Sequence, residues 1–259
     1  MVIEWVDILL LCIAAFLAGF VDAIVGGGGL IQLPAALVIL PHVPVASVIG
    51  SLKIPAFSGT AIAAWQYSRK VSINWVLLAV ICTLAFLASY SGSYLLSHVS
   101  NSFMKPVLVV VLTAVAIYTY TKKNFGQHDA EKSVSQRKQL QLAIMISLLI
   151  GFYDGFIGPG AGSFFILAFI ALLHFDFLHA SAHAKMVNLA TNLGSVTLFL
   201  VKGMLIWKIA LPMAAANMLG GFMGARLAIA KGNRFIRAFF LFVIVGILLR
   251  FCWDVFFRS

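Results

Sequence analysis

Apolar residues fill nearly continuous runs at 6–25, 30–40, 45–67, 73–97 and 103–121, and again at 139–157, 164–174, 177–201, 206–228 and 235–257. A helix needs about 20 predominantly apolar residues to cross a bilayer. Four runs in each set reach or approach that length. The runs 30–40 and 164–174 are too short and are expected as half-helices that enter from one side. Between the sets lies a polar stretch, 122–138, with Lys122, Lys123, Asp129, Glu131, Lys132, Arg137 and Lys138. The pattern predicts an all-α polytopic membrane protein with a first transmembrane repeat at 1–121, a cytoplasmic linker at 122–138 and a second repeat at 139–259. Each repeat would hold four spanning helices and a half-helix broken by glycines, about eight spans in all.

A gapless offset of 132 residues relates the two sets. It superposes Gly19-Phe20 on Gly151-Phe152, Asp22 on Asp154, Gly26 on Gly158, Gly28 on Gly160, Lys53 on Lys185, Trp75 on Trp207, Gly92 on Gly224 and Asn101 on Asn233. The matches fall on Gly, Asp, Lys and Trp, so shared apolar composition does not produce them. Paired repeats with broken segments at matching places are the sequence signature of a secondary transporter. The excess of Lys and Arg on cytoplasmic loops is satisfied about equally by parallel and by inverted repeats. A long helix followed by an 11-residue half-helix fits a hairpin better than a single span, which favours inversion.

Composition agrees with the pattern. Hydrophobic residues make up 62% of the 259 and charged residues 10%, where a soluble domain carries about 25% charged residues. A soluble enzyme, a nucleic-acid module and a disordered chain are excluded on that ground. The net charge of +10 comes mainly from short gaps between apolar runs, as orientation signals do, so no nucleic-acid partner is expected. Cys12, Cys82 and Cys252 stand alone, without metal or redox spacing. Glu4 and Asp7 occupy the place where a signal peptide would be basic, so the first run is read as a mature helix.

The chemistry lies in residues that lipid does not tolerate. Asp22 precedes Gly26-Gly27-Gly28-Gly29, and Asp154 precedes Gly158-Pro159-Gly160-Ala161-Gly162. Such runs do not sustain a helix, and backbone released at membrane depth must be buried or line a wet cavity. The first amides of the next helix then form an anion cradle. Close packing of transmembrane helices is the other use of such glycines. Lys53 and Lys185 each lie eight residues into a spanning run, about 12 Å deep, where a charge costs at least about 2.5 kcal/mol. Pairing each lysine with an aspartate across the bundle relieves both. Lys185, Asn188 and Asn192 share one helix face, as do Lys53, Ala56 and Thr60. The expected substrate-binding set is therefore Gly26, Gly27, Gly28, Gly29, Lys53, Thr60, Gly158, Gly160, Gly162, Ser163, Lys185, Asn188 and Asn192, with Asp22 and Asp154 handling protons. Gly220 and Gly224 read as a packing pair. No metal cluster, cofactor motif, P-loop or nucleophile–base arrangement emerges, so no enzyme activity, metal or cofactor is expected.

The segments Gly19-Phe20-Val21-Asp22 with Gly26 to Gly29, and Phe152-Tyr153-Asp154 with Gly158-Pro159-Gly160-Ala161-Gly162-Ser163, resemble the two repeats of the TauE/SafE sulfite exporter family. Ala182-His183-Ala184-Lys185, Asn188, Thr191-Asn192 and Lys202-Gly203 with Ile206-Trp207 resemble its YfcA-like branch. The resemblance covers nearly the whole chain. It departs from the branch at Ile54-Pro55-Ala56-Phe57, where a proline stands beside Lys53. It implies a multi-pass transporter of the bacterial inner membrane that exports a small sulfur-containing or organic anion of the sulfite and sulfonate class. Alternating access with proton coupling is the expected mechanism, and a homo-oligomer is compatible with it. A non-transporting membrane scaffold, and a cation transporter centred on the aspartates, are the alternatives.

Overall fold

The computed structural model describes residues 4–104, 106–108, 110 and 135–257. The run 103–121 and the stretch 122–138 therefore lie mostly outside the described residues. So apolar a chain must satisfy its backbone internally, and helices do so within one segment. The elements are α1 Trp5–Val25, α2 Gly29–Ile39, α3 Val45–Ser68, α4 Trp75–Leu96, α5 Gln136–Phe156, α6 Ala161–Leu173, α7 Phe177–Val201 and α8 Trp207–Phe257. Non-helical backbone at Gly232 interrupts α8. Among the described residues, six helices are long and apolar enough to cross a membrane, and α2 and α6 are the shorter apolar pieces expected from their runs. The sequence leads to eight spans. Of the other two, 103–121 is mostly undescribed, and 235–257 continues α8 beyond Gly232.

Glycines set the two breaks. Gly26 takes φ 82° and ends α1, its N–H donating to Asp22 O at 2.8 Å. After α5, Gly158 (φ 96°) and Gly160 (φ 82°) turn the chain into α6. Residues with a Cβ avoid this left-handed backbone. The 132-residue offset recurs in the element starts: Gly29 and Ala161, Val45 and Phe177, Trp75 and Trp207. Matched caps follow. Asn101 Oδ1 accepts from Val45 N–H (2.9 Å) at the start of α3, and Asn233 Oδ1 accepts from Leu178 N–H (2.7 Å) at the start of α7.

The contacts fix the helix directions. Phe16 lies against Gly220 and Phe20 against Gly224, so α1 and α8 run in parallel; Ala85 against Gly151 and Ser89 against Gly155 make α4 and α5 parallel. Early α3 meets late α7, with Gly50 against Phe199. Late α3 meets early α7, because Thr60 and Lys185 share Asp22. Helices α3 and α7 are thus antiparallel. A Cβ on Gly220 would lie 2.0 Å from Phe16 O, and one on Gly224 would lie 2.4 Å from Phe20 O. This pair is therefore used for close packing, as its spacing suggests. Outward-facing apolar side chains such as Leu149, Leu211 and Leu219 remain exposed, as a surface that meets lipid requires.

Asp176 caps α7, its Oδ1 accepting from Leu178 N–H (2.9 Å) and His179 N–H (3.0 Å) while its Oδ2 meets His179 Nδ1 at 2.5 Å. Partial burial pushes this carboxyl up, but the bonds from His179 and Leu178 outweigh it and hold the group below its ordinary range. The depressed value makes the cap fully effective above pH about 4 and lost as pH falls further. Asp176→Ala is expected to cost about 1 kcal/mol at neutral pH, with the difference vanishing in acid. Thermal unfolding of the two proteins across pH measures it.

Candidate functional site

The two glycine-rich breaks cross each other, backbone on backbone. Ser163 N–H donates to Gly26 O at 3.1 Å, and Ser163 Oγ to Val25 O at 2.8 Å. A Cβ on Gly26 would stand 2.2 Å from Gly162 C, and one on Gly29 would stand 3.0 Å from Pro159 Cα. Gly27 is the exception in its run, with nothing nearer than 3.5 Å to a Cβ built there. The crossing brings the N-termini of α2 and α6 together.

Around the crossing, the buried charges pair crosswise. Lys53 on α3 donates to Asp154 Oδ1 at 2.8 Å and to Asp154 O at 2.6 Å. Lys185 on α7 donates to Asp22 Oδ2 at 2.9 Å and also to Asp22 O. Each lysine takes the aspartate that lies on the other side of the 122–138 stretch. Lys185 is fully buried, and Lys53 and Asp154 are 5% and 3% exposed. An unpaired charge at such sites would carry several kcal/mol of desolvation, so each group depends on its partner. The aspartates differ in their remaining bonds. Thr191 Oγ1 donates to Asp154 Oδ2. Besides Lys185, Asp22 receives among the described residues only long contacts of 3.4 Å, from Gly28 N–H to Oδ1 and from Thr60 Oγ1 to Oδ2.

Beside these pairs lies a cavity of about 70 Å³, the space open to the centres of water-sized molecules. Of the residues expected from the sequence, Gly26, Gly28, Gly29, Lys53, Thr60, Gly158, Gly160, Gly162, Asn188 and Asn192 line it, together with Asp22 and Asp154. Three expected residues stand back from it. Lys185 is sealed behind Asp22, Ser163 spends its hydroxyl on Val25, and Gly27 is not part of the lining. Pro55 lies within α3 without ending it, and Ala56, one turn after Lys53, is on the wall.

The cavity is rich in donors. Among the described residues, the amides of Gly29 and Gly162 donate to no backbone carbonyl, and Asn188 Nδ2 has no acceptor. Asn188 Oδ1 is occupied, receiving Asn192 Nδ2 at 3.3 Å. The carboxylate oxygens in the wall already accept from Lys53, Thr191, Lys185, Thr60 and Gly28. Among the described residues, Asn192 Oδ1 and Asn217 Oδ1 are acceptors in the wall without a donor, but the N–H groups without an acceptor outnumber them, an arrangement that suits an anion. Among the described residues, no group of three or more His, Cys, Asp or Glu could hold a metal ion.

Two polar lining residues are not in the sequence-derived set. Gln32 on α2 and Asn217 on α8 are each 3% exposed, and Asn217 Nδ2 donates to Gln32 Oε1 at 3.1 Å. Each is an isolated amide inside an apolar run. That isolation is the signal that marks them, although interhelical hydrogen bonding accounts for most such residues.

Comparison with known proteins places these features in a wider set. The profile of the family described as "Sulfite exporter TauE/SafE" matches residues 11–251. A "Probable membrane transporter protein ORF9" from Sinorhizobium is 34% identical over 244 residues, covering 94% of this chain and 92% of its own. A "Probable membrane transporter protein" from Haemophilus influenzae is 36% identical over 229 residues, 88% of each chain. The Escherichia coli "Probable membrane transporter protein YfcA" is 32% identical over 229 residues, 88% of this chain and 83% of its own. No solved structure gives a significant match.

Proposed function

Because the chain belongs to the TauE/SafE family, a family of multi-pass membrane transporters and not of enzymes, we propose that it is a secondary transporter for a small anion bound where the two glycine breaks cross. The carrying observation is a small cavity, walled by buried side chains, whose N–H donors at Gly29, Gly162 and Asn188 have no acceptor among the described residues while its carboxylates are already paired. In this reading Gly29 and Gly162 N–H and Asn188 Nδ2 hold the anion's oxygens. Lys53 supplies positive charge from the wall, and Thr60 and Asn192 orient the ligand. A cation reading is less supported, since both aspartates are engaged by lysines. The family description supports a sulfite or sulfonate substrate moving outward, and the bacterial relatives support the inner membrane as its location.

The architecture belongs to the same proposal: two inverted repeats, 1–121 and 139–259, joined by a cytoplasmic linker. Support comes from the common 132-residue offset and from the antiparallel course of α3 and α7, which hold equivalent places in the two halves. Inverted repeats meeting at broken helices suit alternating access, with one half rocking against the other around a central site.

Protons enter through the aspartates. While both are ionised, the two Lys–Asp pairs are together neutral; once both are protonated, the four side chains carry two positive charges that balance a divalent anion. In vesicles, a pH gradient should drive uptake by the native protein. Asp22→Asn and Asp154→Asn should lose the gradient-driven component yet retain anion exchange. Gradient-driven flux at the native rate in both variants would remove the proton role.

A further inference from the structure

The cavity does not follow the internal relationship of the chain. The residues 132 positions from Gln32 and Asn217 are Phe164 and Ala85, and those 132 from Asn188 and Asn192 are Ala56 and Thr60. Gln32, Leu33, Ile49 and Leu52 line the cavity, whereas their counterparts Phe164, Phe165, Ser181 and Ala184 do not. Away from the glycine crossing, the cavity thus extends along α2 and early α3, with Asn217 of α8 beside them. The amide pair Gln32–Asn217 lies there, next to aliphatic wall.

The local packing is built around this pair. A Cβ on Gly59 would lie 1.9 Å from Asn217 Oδ1, and one on Gly19 would lie 2.7 Å from it. Two helices therefore carry glycine where the Asn217 carbonyl sits. If these amides only joined helices, their groups would be used up. Asn217 Oδ1 has no donor among the described residues. Gln32 Nε2 makes one long contact, 3.4 Å to Leu52 O, which leaves its second N–H unassigned. Both side chains are nine-tenths or more buried and border the cavity. Gln32 stands one helical turn beyond Gly29 on α2, about 4.5 Å further along the axis.

We infer that Gln32 and Asn217 form a second, uncharged pole of the binding cavity and determine specificity by hydrogen-bonding a polar group of the substrate distant from its charge. This rests on the anion-site reading above and refines it. The substrate class is a small organic anion of two or three carbons. Its oxyanion faces the glycine crossing and Lys53, and a hydroxyl or other oxygen group at its far end reaches the Gln32 amide. The aliphatic side chains of Leu33, Ile49 and Leu52 pack on the carbons between. A bare inorganic oxyanion satisfies the charged pole and leaves the amide pole unmatched.

The test is binding to purified full-length protein, using ethanesulfonate against 2-hydroxyethanesulfonate and propanoate against 3-hydroxypropanoate. The native protein should prefer each hydroxylated anion about tenfold, the value of one well-placed hydrogen bond in a buried site. Gln32→Met, nearly isosteric, should bring both ratios close to unity. Asn217→Ala should do the same and serves if the first variant does not fold. Lys53→Met should weaken all four anions together. No preference in the native protein, or a preference that survives Gln32→Met and Asn217→Ala, would overturn the inference while leaving the anion site standing. Affinities unaltered by Lys53→Met, or no anion bound at all, would instead overturn the anion-site reading, and this inference with it.

Discussion

Lys53→Met is expected to abolish anion flux and to destabilise the protein by about 3–5 kcal/mol, the usual result of removing one partner of a buried pair. Asp154 is 3% exposed and would be left with a carboxylate that Thr191 alone cannot satisfy. Adding Asp154→Asn should recover most of the stability, because the double variant buries no charge. It should not recover flux. Unfolding measurements on the four members of this cycle, beside flux from the same preparations, separate the two roles of the pair. A membrane scaffold with a structural ion pair would have its activity follow its stability, and the double variant would then behave like the native protein.

Gly26→Ala should have an effect of similar size on folding. Its φ of 82° costs a residue with a Cβ about 1–2 kcal/mol. The new methyl would also stand 2.2 Å from Gly162 C, in backbone that cannot swing aside, and overpacking of that kind adds about 1–3 kcal/mol. The yield of monodisperse protein should fall sharply. Gly27→Ala, one residue along, meets nothing nearer than 3.5 Å and should fold at native yield. Equal yields from the two variants would show that the breaks do not cross as described.

The sequence reveals those features that lipid makes costly. Four consecutive glycines and two mid-span lysines have no inexpensive explanation in a membrane, so the breaks, Asp22, Asp154, Lys53 and Lys185 are all legible. The pairing of lysine with aspartate across the bundle follows from the same cost. Spacing does not tell which charge faces the cavity. Lys53 and Lys185 hold equivalent places in the sequence, yet Lys53 lines the wall and Lys185 is sealed behind Asp22. Three-dimensional packing decides that difference, through cavity space that the two halves do not share equally.

Gln32 and Asn217 stay hidden for another reason. A single amide in an apolar helix is ordinary interhelical glue, and only its neighbours show that Asn217 Oδ1 lacks a donor among the described residues while Gly19 and Gly59 make room for it. Helix starts fared better, since the offset seen between Trp75 and Trp207 also holds for the helices they begin. Repeat orientation could not be read from charge, because basic residues border both faces of the bundle about equally. The antiparallel packing of α3 and α7 favours inversion.

The central claim is that an anion crosses the membrane by way of the site beside Lys53. Counterflow of labelled sulfite into vesicles holding the purified protein tests it most directly, with the native protein, Lys53→Met and Lys53→Met/Asp154→Asn compared at equal incorporation. The account predicts saturable exchange in the native protein, competed by small organic sulfonates, and none in either variant. Native-level exchange in the folded double variant would contradict it.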